Sequence, residues 1–295
     1  MIYVSELRTI VVTINSQCNM QCPQCAYGQI SNKDTEEMSL DNFKILLSQC
    51  KEANVKNIRI LGLSEPTLHK KFGQILFMMS QYRTMSSHII TNGTMLMDDK
   101  ILESLLNYPP DILEVSIDAF TADLYKKIRG GTETLFQRVV NGTRIYAEKL
   151  KEGKAQKRWD FSPTVTVSFV NHPESFSEKN EFIDFWAPLV DDIHVRGPHN
   201  FSNHANGLES QIAKKSVLVM NCDFLNSKLY IDVKGKGHAC TMDIDDIFIL
   251  GDIVAGEHIS DMWKGEKRVS LVLSHTTGKY IYDQCINCSK CSSLP

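Results

Sequence analysis

No apolar run in this 295-residue sequence approaches the roughly 18 residues of a membrane span, so no membrane partner is expected. The opening Met1-Ile2-Tyr3-Val4-Ser5-Glu6-Leu7-Arg8 lacks a basic region, an apolar core and a small-residue cleavage site. No secretory signal is visible there, and a cytoplasmic protein is the expectation. Net charge is nearly absent as well. At −3 it gives no electrostatic reason to expect nucleic acid or an acidic membrane as partner. Solenoid-type repeats and low-complexity segments are missing. Cysteine is not. Nine of them, in a chain without an export signal, argue for metal or redox chemistry in a reducing compartment and against a disulfide framework.

Three of those thiols, Cys18, Cys22 and Cys25, lie within eight residues, directly after the apolar run Thr9-Ile10-Val11-Val12-Thr13-Ile14. That places a thiolate nest on a loop at the carboxyl end of a strand. Three thiolates do not complete a tetrahedral zinc site, and no nearby His or Cys is the obvious fourth ligand. They suit three irons of a cubane whose fourth iron stays open. Burial as ordinary core residues fits poorly with the Asn, Gln and Pro between them.

Downstream, strand-like and helix-like stretches alternate. Ser39 is an N-cap candidate for a helix in which Phe43, Leu46, Leu47 and Cys50 recur at helical spacing, so Cys50 reads as a small core residue. Strand-like Asn57-Ile58-Arg59-Ile60-Leu61 ends in Gly62-Leu63-Ser64-Glu65-Pro66 and precedes a helix around 70–82. Strands near 87–91, 112–118, 164–170 and 192–196 follow, with helices near 98–107, 121–128, 133–150 and 176–187. This alternation implies a parallel sheet with right-handed crossovers, an α/β partial (β/α)6 barrel with its functional residues at the carboxyl ends of the strands. Near residue 205 the rhythm stops. Two regions are expected, 1–205 and 206–295, the second a small cysteine-bearing cap with a hairpin across Lys234-Gly235-Lys236-Gly237.

Taken together, the C-x3-C-x2-C loop, the Ser64-Glu65-Pro66 element, Thr91-Asn92-Gly93, and Ser116-Ile117-Asp118 followed by Arg129-Gly130 resemble the radical S-adenosylmethionine (SAM) superfamily. The tail is similar to the SPASM or twitch auxiliary-cluster pattern: Cys222, a hairpin into Cys240, Gly251-Asp252-Ile253, Ile259-Ser260-Asp261-Met262-Trp263, then Cys285 and Cys288. The resemblance covers nearly the whole chain. Two places depart from it. Gln24 stands where an aromatic residue often precedes the third cysteine, with Tyr27 nearby, and Leu63-Ser64 replaces the usual Gly-Gly before Glu65-Pro66.

The resemblance implies that Cys18, Cys22 and Cys25 ligate a [4Fe–4S] cluster whose open iron is chelated by SAM. Reductive cleavage then gives a 5′-deoxyadenosyl radical that takes a hydrogen atom from an unactivated C–H bond. Ser64 and Glu65 become candidates for the amino group of SAM, and Asn92, Ser116, Asp118 and Arg129 for its other polar groups, although a helix-terminal salt bridge explains Arg129 equally well. Cys222, Cys240, Cys285 and Cys288 become the ligands of an auxiliary [4Fe–4S] cluster, against the alternative of a zinc site. Cys291 is left over, and a free thiol there would be a candidate hydrogen donor. Arg196, His199 and Asn200 are substrate candidates, with His194 weaker. A flavodoxin- or ferredoxin-type electron donor is the expected partner.

Three functions stay open at this stage. The first is oxidation or epimerisation of a small polar molecule such as an amino sugar or aminocyclitol. It is favoured because only 17 residues precede the first cluster cysteine. The second is maturation of a ribosomal peptide, and the third a zinc or electron-transfer protein without catalysis.

Overall fold

A computed structural model describes residues 5–29, 35–197 and 220–282, together with 285, 288 and 292–293, the last pair as backbone only. The six expected units are there. Strands β1 (Thr9–Val12), β2 (Asn57–Ile60), β3 (Ser86–Thr91), β4 (Ile112–Ser116), β5 (Thr164–Val170) and β6 (Asp192–Arg196) pair in that order, each parallel to the next. Helices α1 (Leu40–Glu52), α2 (Phe72–Ser80), α3 (Asp99–Asn107), α4 (Ala122–Arg129), α5 (Glu133–Ala155) and α6 (Lys179–Trp186) make the crossovers. Among the described residues β6 has no partner on its far side, so the barrel is open, as a partial barrel requires.

Local chemistry sets these boundaries. Ser39 caps α1 by accepting from the Asn42 amide at 3.1 Å, and Asp98 and Thr121 do the same for α3 and α4. Cys50 is fully buried on the α1 face that also carries Phe43, Leu46 and Leu47, a core residue as expected. Helix α4 stops at Gly130, whose left-handed φ of 69° few other residues adopt cheaply.

The small cysteine-bearing tail continues the barrel's sheet. Strand β8 (Lys228–Ile231) pairs parallel with β1, and β9 (Lys236–His238) and β10 (Ile249–Asp252) continue the same nine-stranded sheet beyond it. Leu229, Ile231, Ile253, Ile259, Met262 and Trp263 join the barrel's own core cluster. A hairpin in isolation is marginal, and sheet continuation supplies the partner it needs. The expected boundary at 205/206 lies outside the described residues.

Around the cysteine end of the tail are a short β7 (Met220–Asn221), α7 (Asp223–Ser227), α8 (Ile259–Lys264), α9 (Glu266–Thr276) and β11 (Ser292–Ser293), which pairs antiparallel with β7. Arg268 ties them together. It is 2% exposed and stacks on Trp263 at 3.2 Å, and its guanidinium donates to the carbonyls of Leu225 (2.6 Å) and Trp263 (2.9 Å).

Candidate active site

All six parallel strands end at one rim, and the cysteine loop leaves β1 there. A cavity of about 390 Å³ opens between the rim and the barrel interior. Cys18, Cys22, Cys25, Ser64, Glu65, Asn92, Ser116, Asp118, Arg129 and Arg196 all line it, so ten residues singled out from sequence meet in one place. Phe224, Lys228, Thr241 and Met242 of the tail border the same cavity. His199, Asn200 and Cys291 lie outside the described residues.

The cysteine loop is held by polar contacts on several sides. The Cys18 amide donates to the Tyr27 hydroxyl at 3.0 Å, the Cys25 amide to the Cys22 carbonyl at 3.0 Å, and the Glu65 amide to the Gln17 carbonyl at 2.7 Å. Tyr27 thus does structural work on the loop. Asn92 reaches across from the end of β3: its Nδ2 donates to Asn19 Oδ1 at 2.9 Å, and its Oδ1 accepts from the Thr94 hydroxyl at 2.6 Å. Gly93 follows at φ 76°, and a Cβ there would stand 2.7 Å from Val115 Cγ1, so the turn demands glycine.

Glu65 is almost wholly buried. Burial raises its pKa, opposed by donors on both oxygens: Oε1 accepts from the Thr67 amide, the Thr67 hydroxyl and the Thr91 hydroxyl, and Oε2 from the Asn92 amide at 2.6 Å. The carboxylate therefore clamps the ends of β2 and β3 together, and only Oε2 keeps capacity for an ammonium group.

Alternation along β4 does not aim Asp118, because the strand ends at Ser116. Ser116 faces the interior and accepts from the Ser168 hydroxyl at 3.3 Å. Asp118 then takes a left-handed φ of 62°, which Asp tolerates better than most residues. Its carboxylate accepts from Arg129 Nη1 at 3.0 Å and from the Val170 amide at 2.9 Å. Arg129 thus makes the helix-terminal salt bridge, and its Nε has no hydrogen-bond partner among the described residues.

The donor sets fit the groups the sequence implies. Burial pushes the Cys18 thiol up to about 11, with Glu65, Cys22 and Cys25 adding to the effect. Such crowding of anionic groups suits a cationic metal core. In the tail, Cys222 and Cys288 pack in one small cluster of buried residues with Cys240 and Cys285 against it. Burial raises the Cys240 thiol, and Cys222, Cys288 and Cys285 raise it further, so the other three thiols lie close to that of Cys240. Four thiolates leave no open position on a cubane.

A second polar layer lies deeper in the barrel; the sequence pointed to its Arg196 and His194 but not to Glu114, His88 or Arg59. Glu114, at the middle of β4, is 0% exposed. It accepts from His88 Nε2 (3.1 Å) and His194 Nδ1 (3.2 Å) and is ion-paired with Arg196. Arg59 of β2 stands beside His88 in register and lines the cavity too. The signal was available: a charged residue inside an apolar central strand, as in Ile112-Leu113-Glu114-Val115, is costly to bury without partners. His194, weighed lightly from sequence, belongs to this layer with Arg196.

Residues 12–165 match the family profile of the Radical SAM superfamily, just over half of the chain. The chain belongs to that superfamily. Residues 222–291 match the SPASM iron-sulfur cluster-binding domain, so the radical SAM chain carries SAM with a [4Fe–4S] cluster and auxiliary iron–sulfur binding in its tail. Among curated proteins it is 31% identical over 138 residues to "Probable GTP 3',8-cyclase" of Methanocaldococcus jannaschii, covering 46% of this chain and 44% of that protein. A namesake from Methanococcus vannielii is 25% identical over 235 residues, 77% of this chain and 73% of that one. The chain thus spans less than half the length of the first of these relatives.

Two solved structures share the fold. BtrN in complex with AdoMet and 2-DOIA superposes with TM-score 0.63 at 20% identity, over 98% of this chain and 94% of that one. Streptococcus suis SuiB bound to precursor peptide SuiA gives 0.71 at 14%, over 97% and 70%.

Proposed function

We propose that this radical SAM enzyme abstracts a hydrogen atom from a C–H bond of a small polar molecule held in the barrel cavity, between the N-terminal cluster loop and the tail cysteines. Bound SAM and its cluster supply a 5′-deoxyadenosyl radical as the hydrogen-abstracting agent. The chain's own residues do the rest. Cys18, Cys22 and Cys25 hold the cluster; Ser64, Glu65 and Asn92 border the SAM position; and the Asp118–Arg129 pair walls the cavity on the β4 side.

One observation carries the reading. The cavity that touches the three cysteines also touches Thr241 and Met242, directly after Cys240, whose Sγ accepts from the Met242 amide at 3.3 Å. A substrate there lies between the two thiolate sets, and the tail cysteines would hold an auxiliary cluster that could accept an electron. The curated relatives are named for an enzyme of GTP, itself a small molecule. Alcohol oxidation of an amino-sugar- or aminocyclitol-like substrate is the favoured outcome, and a flavodoxin- or ferredoxin-type protein the favoured electron source. Epimerisation is the alternative, with Cys291 as hydrogen donor.

A second reading, peptide maturation, draws on the shared fold with SuiB in its peptide complex. The two separate in one experiment. Polar metabolites and peptides from a cell extract are added separately to the reconstituted, reduced enzyme. The metabolite fraction is expected to raise 5′-deoxyadenosine above the uncoupled rate; a rise with the peptide fraction alone would sink the small-molecule reading. Turnover in deuterated water then reports the outcome, since product without solvent deuterium counts against epimerisation.

A further inference from the structure

The deeper polar layer of the cavity has more cation than anion. Its carboxylate, Glu114, is fully enclosed and shared among Arg196, His88 and His194. The other carboxylates bordering the cavity are occupied too: Asp118 by Arg129, and Glu65 by its four donors. Arg59 is not matched in this way. No ion pair or hydrogen bond to its guanidinium is present among the described residues, and its Nε is buried without a partner. Burial lowers its pKa, a second guanidinium, Arg196, lies near it, and the neighbouring His88 is held neutral by burial and by both arginines.

A guanidinium does not escape this cost by losing its proton, because it stays charged in proteins. A cation facing another cation inside a cavity is stable only when something else brings negative charge. That charge does not come from the SAM rim. Arg59 stands two residues before Leu61, roughly 7 Å further down the strand by strand rise, below the level of Ser64, Glu65 and Asn92.

We propose that the substrate carries an anionic group, a carboxylate or a phosphate, and that Arg59 binds it, with Arg196 beside it held in place by Glu114. The planar fork of Arg59 suits two oxygens of either group, and its position at the floor of the cavity makes it the anchor that orients the rest of the substrate toward the cysteines. This rests on the barrel cavity being the substrate site, and within that reading it requires the amino-sugar- or aminocyclitol-like substrate to carry a carboxylate or a phosphate ester as well.

The test uses the reconstituted protein saturated with SAM, titrated anaerobically by calorimetry with inorganic phosphate and, separately, with acetate at constant ionic strength. At least one anion is expected to bind saturably, about tenfold more weakly in Arg59→Gln, with part of the affinity kept in Arg59→Lys. The tighter of the two anions tells a phosphate ester from a carboxylic acid. Iron content and circular dichroism of each variant check that the fold is intact, and if Arg59→Gln fails that check the comparison rests on Arg59→Lys. The proposal is overturned by equal anion affinity in wild type and variant, by no saturable binding of either anion, or by a variant that loses SAM affinity in place of anion affinity. SAM cleavage by the same wild-type sample is read in parallel. Absence of 5′-deoxyadenosine is a failure of the enzyme reading, whereas cleavage without anion binding is a failure of this inference alone.

Discussion

Glu114 shows how single residues shape this site. Its carboxylate is enclosed by two histidines and a guanidinium, so removing its charge leaves Arg196 buried opposite Arg59. Breaking a fully buried pair costs about 3 kcal/mol or more, and the partial exposure of Arg196 and His194 brings this one down to about 1–2 kcal/mol. Glu114→Gln is therefore expected to lower the melting midpoint by several degrees, whereas the exposed Glu148→Gln leaves it unchanged. Asn92 offers a second case. It touches the cluster loop through Asn19 and the Thr94 turn, so Asn92→Ala is expected to loosen SAM affinity about tenfold or more with iron content largely retained, as measured by equilibrium dialysis. Much of this site was legible in the sequence because thiolate spacing and strand-end motifs are local patterns. Glu114 is marked by its place in an apolar strand, but its meeting with His88 and Arg59 depends on the register of three successive strands, which no local pattern gives. The direction of Asp118 follows from its own left-handed conformation after the strand, which strand periodicity does not show.

At the scale of elements, two junctions carry the account. The first is the close approach of the cysteine loop to the end of α4, where a Cβ on Gly130 would sit 2.8 Å from the Gln21 carbonyl oxygen. Gly130→Ala adds that clash to the left-handed strain, a cost of about 1 kcal/mol or more. It is expected to lower the iron bound at the N-terminal site while leaving the tail site filled, which iron counting by Mössbauer spectroscopy resolves. The second junction is α9. His275 there is 3% exposed, donates from Nδ1 to the Leu271 carbonyl at 2.9 Å and keeps Nε2 buried without a partner among the described residues. Burial lowers its pKa, partly offset by the Leu271 carbonyl, so the folded state prefers it neutral. A base with a lowered folded pKa gives stability that is present above its ordinary value near 6.5 and lost as pH falls below it. Melting of wild type is expected to drop between pH 7 and pH 5 more steeply than that of His275→Phe. The long helices were visible in the sequence through caps and apolar spacing. Helices α7 and α9 were not, because α7 has five residues and α9 is anchored by Arg268, a buried cation that sequence alone reads as surface.

For the whole molecule, barrel and tail form one continuous sheet, and the cavity between the two thiolate sets belongs to both. Two regions were expected from the break in the βα rhythm. The parallel pairing of β8 with β1 joins them, and that contact spans more than 200 residues of sequence, beyond the reach of periodicity. Joining the regions ties the tail to the strand from which the Cys18 loop leaves. Among the described helices none is long and apolar enough to cross a membrane. The central claim is that SAM is cleaved at Cys18, Cys22 and Cys25 and that the tail holds a second cluster. Anaerobic reconstitution, iron counting and 5′-deoxyadenosine release by wild type, Cys18→Ala and Cys240→Ala test both parts at once. About eight irons per chain and abundant 5′-deoxyadenosine are predicted for wild type, no 5′-deoxyadenosine for Cys18→Ala, and about four irons with uncoupled cleavage retained for Cys240→Ala. Zinc saturating the cysteines, or cleavage undiminished in Cys18→Ala, would contradict it.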